Sequence, residues 1–241
     1  MKFTVKGNLD KILKDLKKLE PANMQRIGVL ALNKTAFEVR DALKKEMQTV
    51  FDRPRPFTIN SLYVKKATPD KLTAYVGIKD FAAKGTAAAQ YLSAQINGGG
   101  RVHKRFEKWL IYHGVMPASQ YAIPARDVKL DRFGNPSAGL YTQILSALGA
   151  SSDPMQNQTA RSKEKAKRKG GYRIFVVQKG RQAVGIGRSR GKGGRIEMLF
   201  FFGRQPHYQK RFFFYETAQR VSTQQLPLKI EQVWAKEMAR G

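Results

Sequence analysis

The chain has 241 residues, with 45 Lys and Arg against 18 Asp and Glu, giving a formal net charge of +27 and a pI near 10.4. Hydrophobic residues make up 41%, enough for a buried core and too many for disorder throughout. The absence of cysteine excludes a disulfide framework and a thiolate metal site, and so large an excess of positive charge draws a protein towards DNA, RNA, an anionic surface or an acidic partner.

The opening "MKFTVKGNLDKILKDLKKLE" lacks the continuous apolar segment and small-residue cleavage site of a secretory signal. No run of about 18 apolar residues follows anywhere, so no membrane partner is expected and the protein is read as soluble and made in a cytoplasm. Phe3 to Lys6 alternates like a short strand. Asn8 can cap a helix carrying Leu9, Ile12, Leu13, Leu16 and Leu19 at spacings of three and four. Pro21 suits the first turn of a second helix, whose apolar stripe runs through Val29, Leu32, Ala36, Val39, Leu43, Met47 and Val50 to the break at "DRPRP".

The period then changes. "SLYVKKA" and "KLTAYVGIK", separated by the turn signal "TPD", predict a β-hairpin. "GTAAAQYLSAQI" predicts a helix ended by "NGGG", "HKRFEKWLIYHG" a short amphipathic helix, and "SAGLYTQILSALGA" another closed by Gly149. From Ala150 to Gly171 the composition becomes polar and basic, which predicts a flexible loop or arm. "YRIFVVQK", "QAVGIGR" and "RIEMLFFF" read as three strands. "QKRFFFYETAQRV" reads as a helix, and Pro227 either kinks it or begins another that ends at Met238.

Strands that follow one another directly favour antiparallel pairing, so the expected class is α+β: N-terminal amphipathic helices and a C-terminal helix packed on an antiparallel β-sheet, with a long basic loop. The expected organisation is a helical and hairpin part over residues 1–149 and a flexible basic arm over 150–171. Residues 172–241 then form a β-meander with C-terminal helices that completes the same core.

Catalytic motifs do not survive scrutiny. "GIGRSRGKGG" suggests a phosphate loop, but Gly193 follows Lys192 where Ser or Thr would reach magnesium, and a strand follows instead of a helix. His103, His113 and His207 have no neighbouring cysteine, and clustered carboxylates for a nuclease are missing. No catalytic residue, metal site or cofactor is expected, and the protein is read as not an enzyme.

The informative feature is the segment Arg161 to Arg211, which holds 16 Lys and Arg against Glu164 and Glu197. Phosphate contact without base reading needs only cations projected towards a backbone. Arg188, Arg190, Lys192 and Arg195 in the glycine-flanked turn, with Lys165, Lys167, Arg168 and Lys169 in the arm, are the candidate contacts to DNA or to an acidic partner. The alternative is a solvated charge run. The apolar clusters Leu199 to Phe202 and Phe212 to Phe214 exceed what one strand and one helix face normally bury. Phe200, Phe202, Phe212 and Phe214 are therefore assigned to the core or to an oligomer interface, with both left open.

Five blocks together, "ALNKTAFEVRDALKKEM", "FDRPRPFT", "SLYVKKAT", "KGTAAAQYLSAQINGGGRVHKRFE" and "FFFGRQPHYQKRFFFYETAQRV", resemble phage- and prophage-encoded morphogenesis proteins. They are similar, more loosely, to the prophage minor tail protein Z group and to other tail-completion or head–tail-joining proteins. The resemblance carries no catalytic signature; the arm around Ala150 to Gly171 departs from the shared plan. It implies a structural virion protein of the neck or upper tail, assembled in the bacterial host cytoplasm. Such a protein works as a homo-oligomeric ring, expected as a hexamer, around the DNA channel. Its implied partners are further copies of itself, connector, tail-terminator or tail-tube proteins, and genomic DNA held nonspecifically in the lumen. The competing reading is a nonspecific nucleic-acid-binding packaging protein.

Overall fold

The computed structural model describes residues 1–5, 21–83, 85–126, 128–190 and 194–239. In chain order the elements begin with β1 (Lys2–Val5), α1 (Pro21–Val50), α2 (Pro56–Ile59), β2 (Leu62–Lys65), β3 (Ala74–Ile78) and α3 (Ala88–Asn97). They continue with β4 (Gly99–Gly100), α4 (Arg105–Tyr112), β5 (Tyr121–Pro124), α5 (Ala138–Leu148), a single 3-10 turn at Pro154–Gln156 and α6 (Ala160–Arg168). The last are β6 (Tyr172–Lys179), β7 (Gln182–Arg190), β8 (Glu197–Gly203), β9 (His207–Tyr208) and α7 (Phe214–Met238). All three sheets are antiparallel, so the class is α+β as expected. The helix expected after Asn8 lies outside the described residues.

The chain divides into two compact units, residues 1–98 with 209–241 and residues 99–208. The boundaries fall there, and not at the composition shifts near 149/150 and 171/172. Where the single shared core was expected there are two separate apolar clusters. The reason is a pairing that composition does not show: Gly99 pairs with Tyr208 and Gly100 with His207. This short β4–β9 ladder closes the second unit at its stem.

In the first unit α1 buries Ile27, Ala31, Leu32, Ala36, Val39, Leu43 and Met47 along one face. Val29 and Val50, expected in that stripe, are only half-buried. The predicted hairpin is present, with Leu62 opposite Ile78 and Val64 opposite Val76. β1 pairs along the other edge of β3, giving the order β1-β3-β2. α7 runs as one helix with Pro227 inside it. Phe214, Ala218, Val221, Leu226, Ile230 and Val233 form its buried stripe and share a cluster with α1, β2 and β3. Polar contacts tie α7 to α1: the Phe213 backbone N–H donates to Glu46 Oε1 at 2.7 Å, Lys229 Nζ lies 2.9 Å from Glu38 Oε1, and Arg26 Nε lies 3.4 Å from Glu237 Oε2. The first supplies an acceptor to the N-terminal end of α7, where backbone donors lack intrahelical partners.

In the second unit the sheet order is β5-β8-β7-β6. Ala122, Ile186, Phe200 and Phe202 share a buried cluster with Phe106 and Leu110 of α4 and Ile144 of α5. Ile186 pairs with Phe200 and Gly187 with Met198, so Leu199 is the extra residue of a β-bulge. The bulge explains why Leu199 and Phe200 are both buried although adjacent in a strand. Helix α5 is framed as expected, by the Ser137 side chain accepting from the Leu140 N–H and by Gly149 in the left-handed conformation at φ 70°.

The long basic loop is corrected: residues 160–168 form α6. The Thr159 hydroxyl accepts from the Ser162 N–H, and Lys165, Lys167 and Arg168 occupy the last turn, where the helix dipole favours cations. Ala, Lys, Arg and Glu are all good helix formers. A polar, basic composition offers little apolar surface to pack, but capping and dipole matching supply a local reason for the helix.

Candidate functional site

The basic residues of the second unit stand on two adjoining supports. On α6, Lys165, Lys167, Arg168 and Lys169 at its C-terminal cap are all exposed. Glu164 lies 3.9 Å from Lys167 and 3.6 Å from Arg168, long pairs on a solvated surface that leave most of the positive field unneutralised. Ala166 is half-buried, and the chain turns so tightly after the helix that a Cβ on Gly171 would lie 2.9 Å from the Ala166 carbonyl oxygen. α6 lies against β6, which sets its exposed cations beside the hairpin.

The second support is the β6–β7 hairpin. Tyr172 pairs with Arg190 and Ile174 with Arg188, which puts Tyr172, Arg188 and Arg190 on one sheet face. The Arg188 and Arg190 guanidinium carbons lie 4.2 and 4.4 Å from the Tyr172 ring centroid, within the range of cation–π attraction. Arg188 is also paired with Glu197, with Nε and Nη2 both 2.8 Å from Oε2. Its charge is thus largely compensated inside the sheet, whereas Arg190 and Arg195 are exposed. Lys192 lies outside the described residues. Arg188 and Arg190 belong to a regular strand and not to a turn, so their direction is set by the pleat.

Phe200, Phe202, Phe212 and Phe214 are all buried, at 1%, 9%, 0% and 0% exposure. They are core residues within one chain, and they do not share a core: the first pair belongs to the second unit and the other pair to the first. Between the members of each pair lies an exposed ring, Phe201 in the first and Phe213 in the second.

Sequence reasoning missed the most densely bonded polar group. Glu107 on α4 is fully buried. Its two oxygens accept from Arg101 Nη1 and Nη2 at 2.6 Å each, from the Lys104 N–H at 2.6 Å and from the Ala122 N–H at 2.9 Å. Burial by itself would raise its pKa, but the Arg101 hydrogen bonds and charge and the two backbone donors outweigh it and hold the carboxyl below its ordinary 4.5. The Arg101 guanidinium lies 4.8 Å from the Tyr121 ring, His103 stacks on the same ring at 4.1 Å, and a His103 ring nitrogen is 2.9 Å from the Gln120 carbonyl. This network pins residues 101–104 to α4 and β5. The signal available in sequence was Glu107 three residues after Lys104, at the position of a capping acceptor.

A cleft of about 680 Å³ opens between Gly114–Pro117 and the β6–β7 turn, with Lys179 and Arg181 on its wall. Among the described residues no three His, Asp or Glu side chains gather at metal-binding distance, and no helix is long and apolar enough to cross a membrane. Comparison with known protein families, with curated proteins and with solved structures finds no match.

Proposed function

We propose that the protein is a structural subunit of a bacteriophage virion, a tail-completion or head–tail-joining subunit that works as a ring around the DNA channel. The reading rests on the family resemblance together with one observation: α6 and the neighbouring hairpin carry an exposed basic surface, with Lys165, Lys167, Arg168, Lys169, Arg190 and Arg195 all open to solvent. A channel that passes any genome needs phosphate contact that is indifferent to sequence. Duplex DNA carries one charge per ~1.7 Å of axis, so a threaded duplex offsets part of the repulsion between neighbouring subunits of +27 each. Acidic surfaces on connector or tail proteins would offset more. Lys165, Lys167, Arg168, Lys169, Arg190 and Arg195 are the lumen candidates on this reading.

The test is the mass of the purified protein by light scattering at ~0.5 M salt, where the Debye length falls to about 4 Å and self-repulsion is screened, with and without duplex DNA. A discrete multimer without DNA is expected. A monomer that gathers on DNA at irregular stoichiometry overturns the ring and supports a nonspecific packaging protein. In duplex binding measured across a salt series, Lys165→Ala, Lys167→Ala and Arg168→Ala combined should lower the slope of log K against log salt by up to about three.

A further inference from the structure

The four-stranded sheet of the second unit has a second face, and the buried cluster does not cover it. The register defines this face. Ile123 pairs with Phe201, Phe201 with Gly185 and Gly185 with Val177, so one row crosses all four strands. Met198 pairs with Gly187 and Gly187 with Phe175 in the row beside it. Paired residues project to the same side, and the row carries apolar side chains at every position except the two glycines. Phe201 is 48% exposed, Ile123 41% and Ile196 52%, while Phe175 and Val177 are half-buried and half-buried Met198 also packs against the cluster.

The glycines are part of the surface. A Cβ on Gly187 would lie 2.9 Å from Val177 Cγ2 and 3.1 Å from Ile196 Cγ2, and one on Gly185 would lie 2.7 Å from Met198 Cε. Side chains from both sides of β7 therefore close over its backbone, and the result is one continuous apolar field instead of two ridges. A contiguous field of this kind on a sheet marks a surface that meets another molecule.

The charges around it indicate which molecule. Along β6, Arg173 shares the pleat parity of Phe175 and Val177 and stands beside them at the start of the strand, and exposed Arg195 precedes Ile196. Glu197, the nearest carboxylate in sequence, is paired with Arg188 on the opposite face. Among the described residues of these four strands no acidic side chain borders the apolar field. A second copy would bring like charges against like. Nucleic acid would have to set phosphates against Ile123, Val177, Ile196 and Met198, which offer neither hydrogen bonds nor flat rings; only Phe175 and Phe201 could stack a base.

We infer that this outer sheet face is a docking surface for an acidic protein partner, one that presents apolar side chains ringed by Asp or Glu. The apolar field supplies the contact area, and the cationic rim selects the partner's charge and speeds encounter. The inference goes beyond the ring and does not depend on it, since a monomer bearing this face would bind the same partner.

The test uses the full chain and fluorescent 14-residue synthetic peptides read by anisotropy at 0.1 M salt or thereabouts. One peptide alternates Glu with Leu and Phe, a second is Glu throughout, a third replaces each Glu of the first by Lys, and a single-stranded oligonucleotide of similar length completes the set. The alternating acidic peptide should bind best. Phe201→Ser with Ile123→Ser should weaken it by about tenfold, while Phe213→Ser, equally exposed but in the other unit, should leave it unchanged. Equal binding of the all-Glu peptide with no effect of the double variant would overturn the inference. So would a double variant that loses the oligonucleotide while the acidic peptide never binds, since the face would then be a base-stacking platform. Circular dichroism of the double variant separates lost binding from lost fold. Ring assembly in light scattering, unaffected by these changes, keeps the two readings distinguishable.

Discussion

Two phenylalanine triplets, Phe200–Phe202 in β8 and Phe212–Phe214 leading into α7, have the same composition and the same exposure pattern. In each the outer two rings are buried and the middle one is open, 48% at Phe201 and 47% at Phe213. The causes differ. In β8 the alternation of the pleat turns Phe201 away from the core that holds Phe200 and Phe202. Before α7 no pleat operates; the chain is held by the Phe212 N–H on the Gln95 carbonyl at 3.0 Å and the Phe213 N–H on Glu46. Aromatic content therefore says little about whether a ring serves a core or a surface. The backbone around each ring decides, and here it does so twice by unrelated means.

The largest effects should come from the buried rings. Phe200→Ala and Phe214→Ala should each cost about 3–5 kcal/mol, and because the rings lie in separate clusters, calorimetry should show two transitions with a different one lowered in each variant. Equal lowering of one shared transition would show that the two units unfold together.

The next effect separates the units by pH. Glu107→Gln should cost about 3 kcal/mol by leaving the Arg101 charge buried without its partner. In the unaltered protein the Glu107 carboxyl titrates below 4.5 when folded and near 4.5 when unfolded. Its stabilisation is thus complete above 4.5 and lost as pH falls through the folded value. The transition assigned by Phe200→Ala should drop on acidification below 4.5 and lose part of that dependence in Glu107→Gln. An identical acid response of both transitions in the variant and the parent would remove the network from the account.

A smaller effect is expected at the second triplet. Glu46→Ala removes the acceptor for the Phe213 N–H and should cost about 1 kcal/mol, read as a lower midpoint in urea for the transition assigned by Phe214→Ala. The smallest belong to the open rings. Phe201→Ser and Phe213→Ser should each change stability by no more than about 0.5 kcal/mol; a cost near that of Phe200→Ala would contradict the exposure pattern on which the comparison rests.

Much of this was legible in the sequence, element by element. The stripe of α1, the hairpin of β2 and β3, Gly149 closing α5 and the three strands of the meander follow from spacing and turn chemistry, because those signals act within a few residues. The α6 helix was concealed, since Lys and Arg mark both a solvated loop and a helix whose stability is local. Arg188, Arg190 and Arg195 were legible as cations, but not the difference between a guanidinium paired with Glu197 and one open to solvent, which depends on strand register.

The sequence by itself determined the charge, the α+β class and the absence of cysteine chemistry, properties that are sums or short-range patterns. Only the tertiary structure decided that two cores exist, that Gly99 and Gly100 meet His207 and Tyr208 across more than a hundred residues, and that Glu107 lies buried against Arg101. The open apolar face likewise exists only once β5, β8, β7 and β6 are in register. Each of these requires distant segments to pair, and pairing depends on the closure of loops and the fit of whole faces, which no local window of sequence contains.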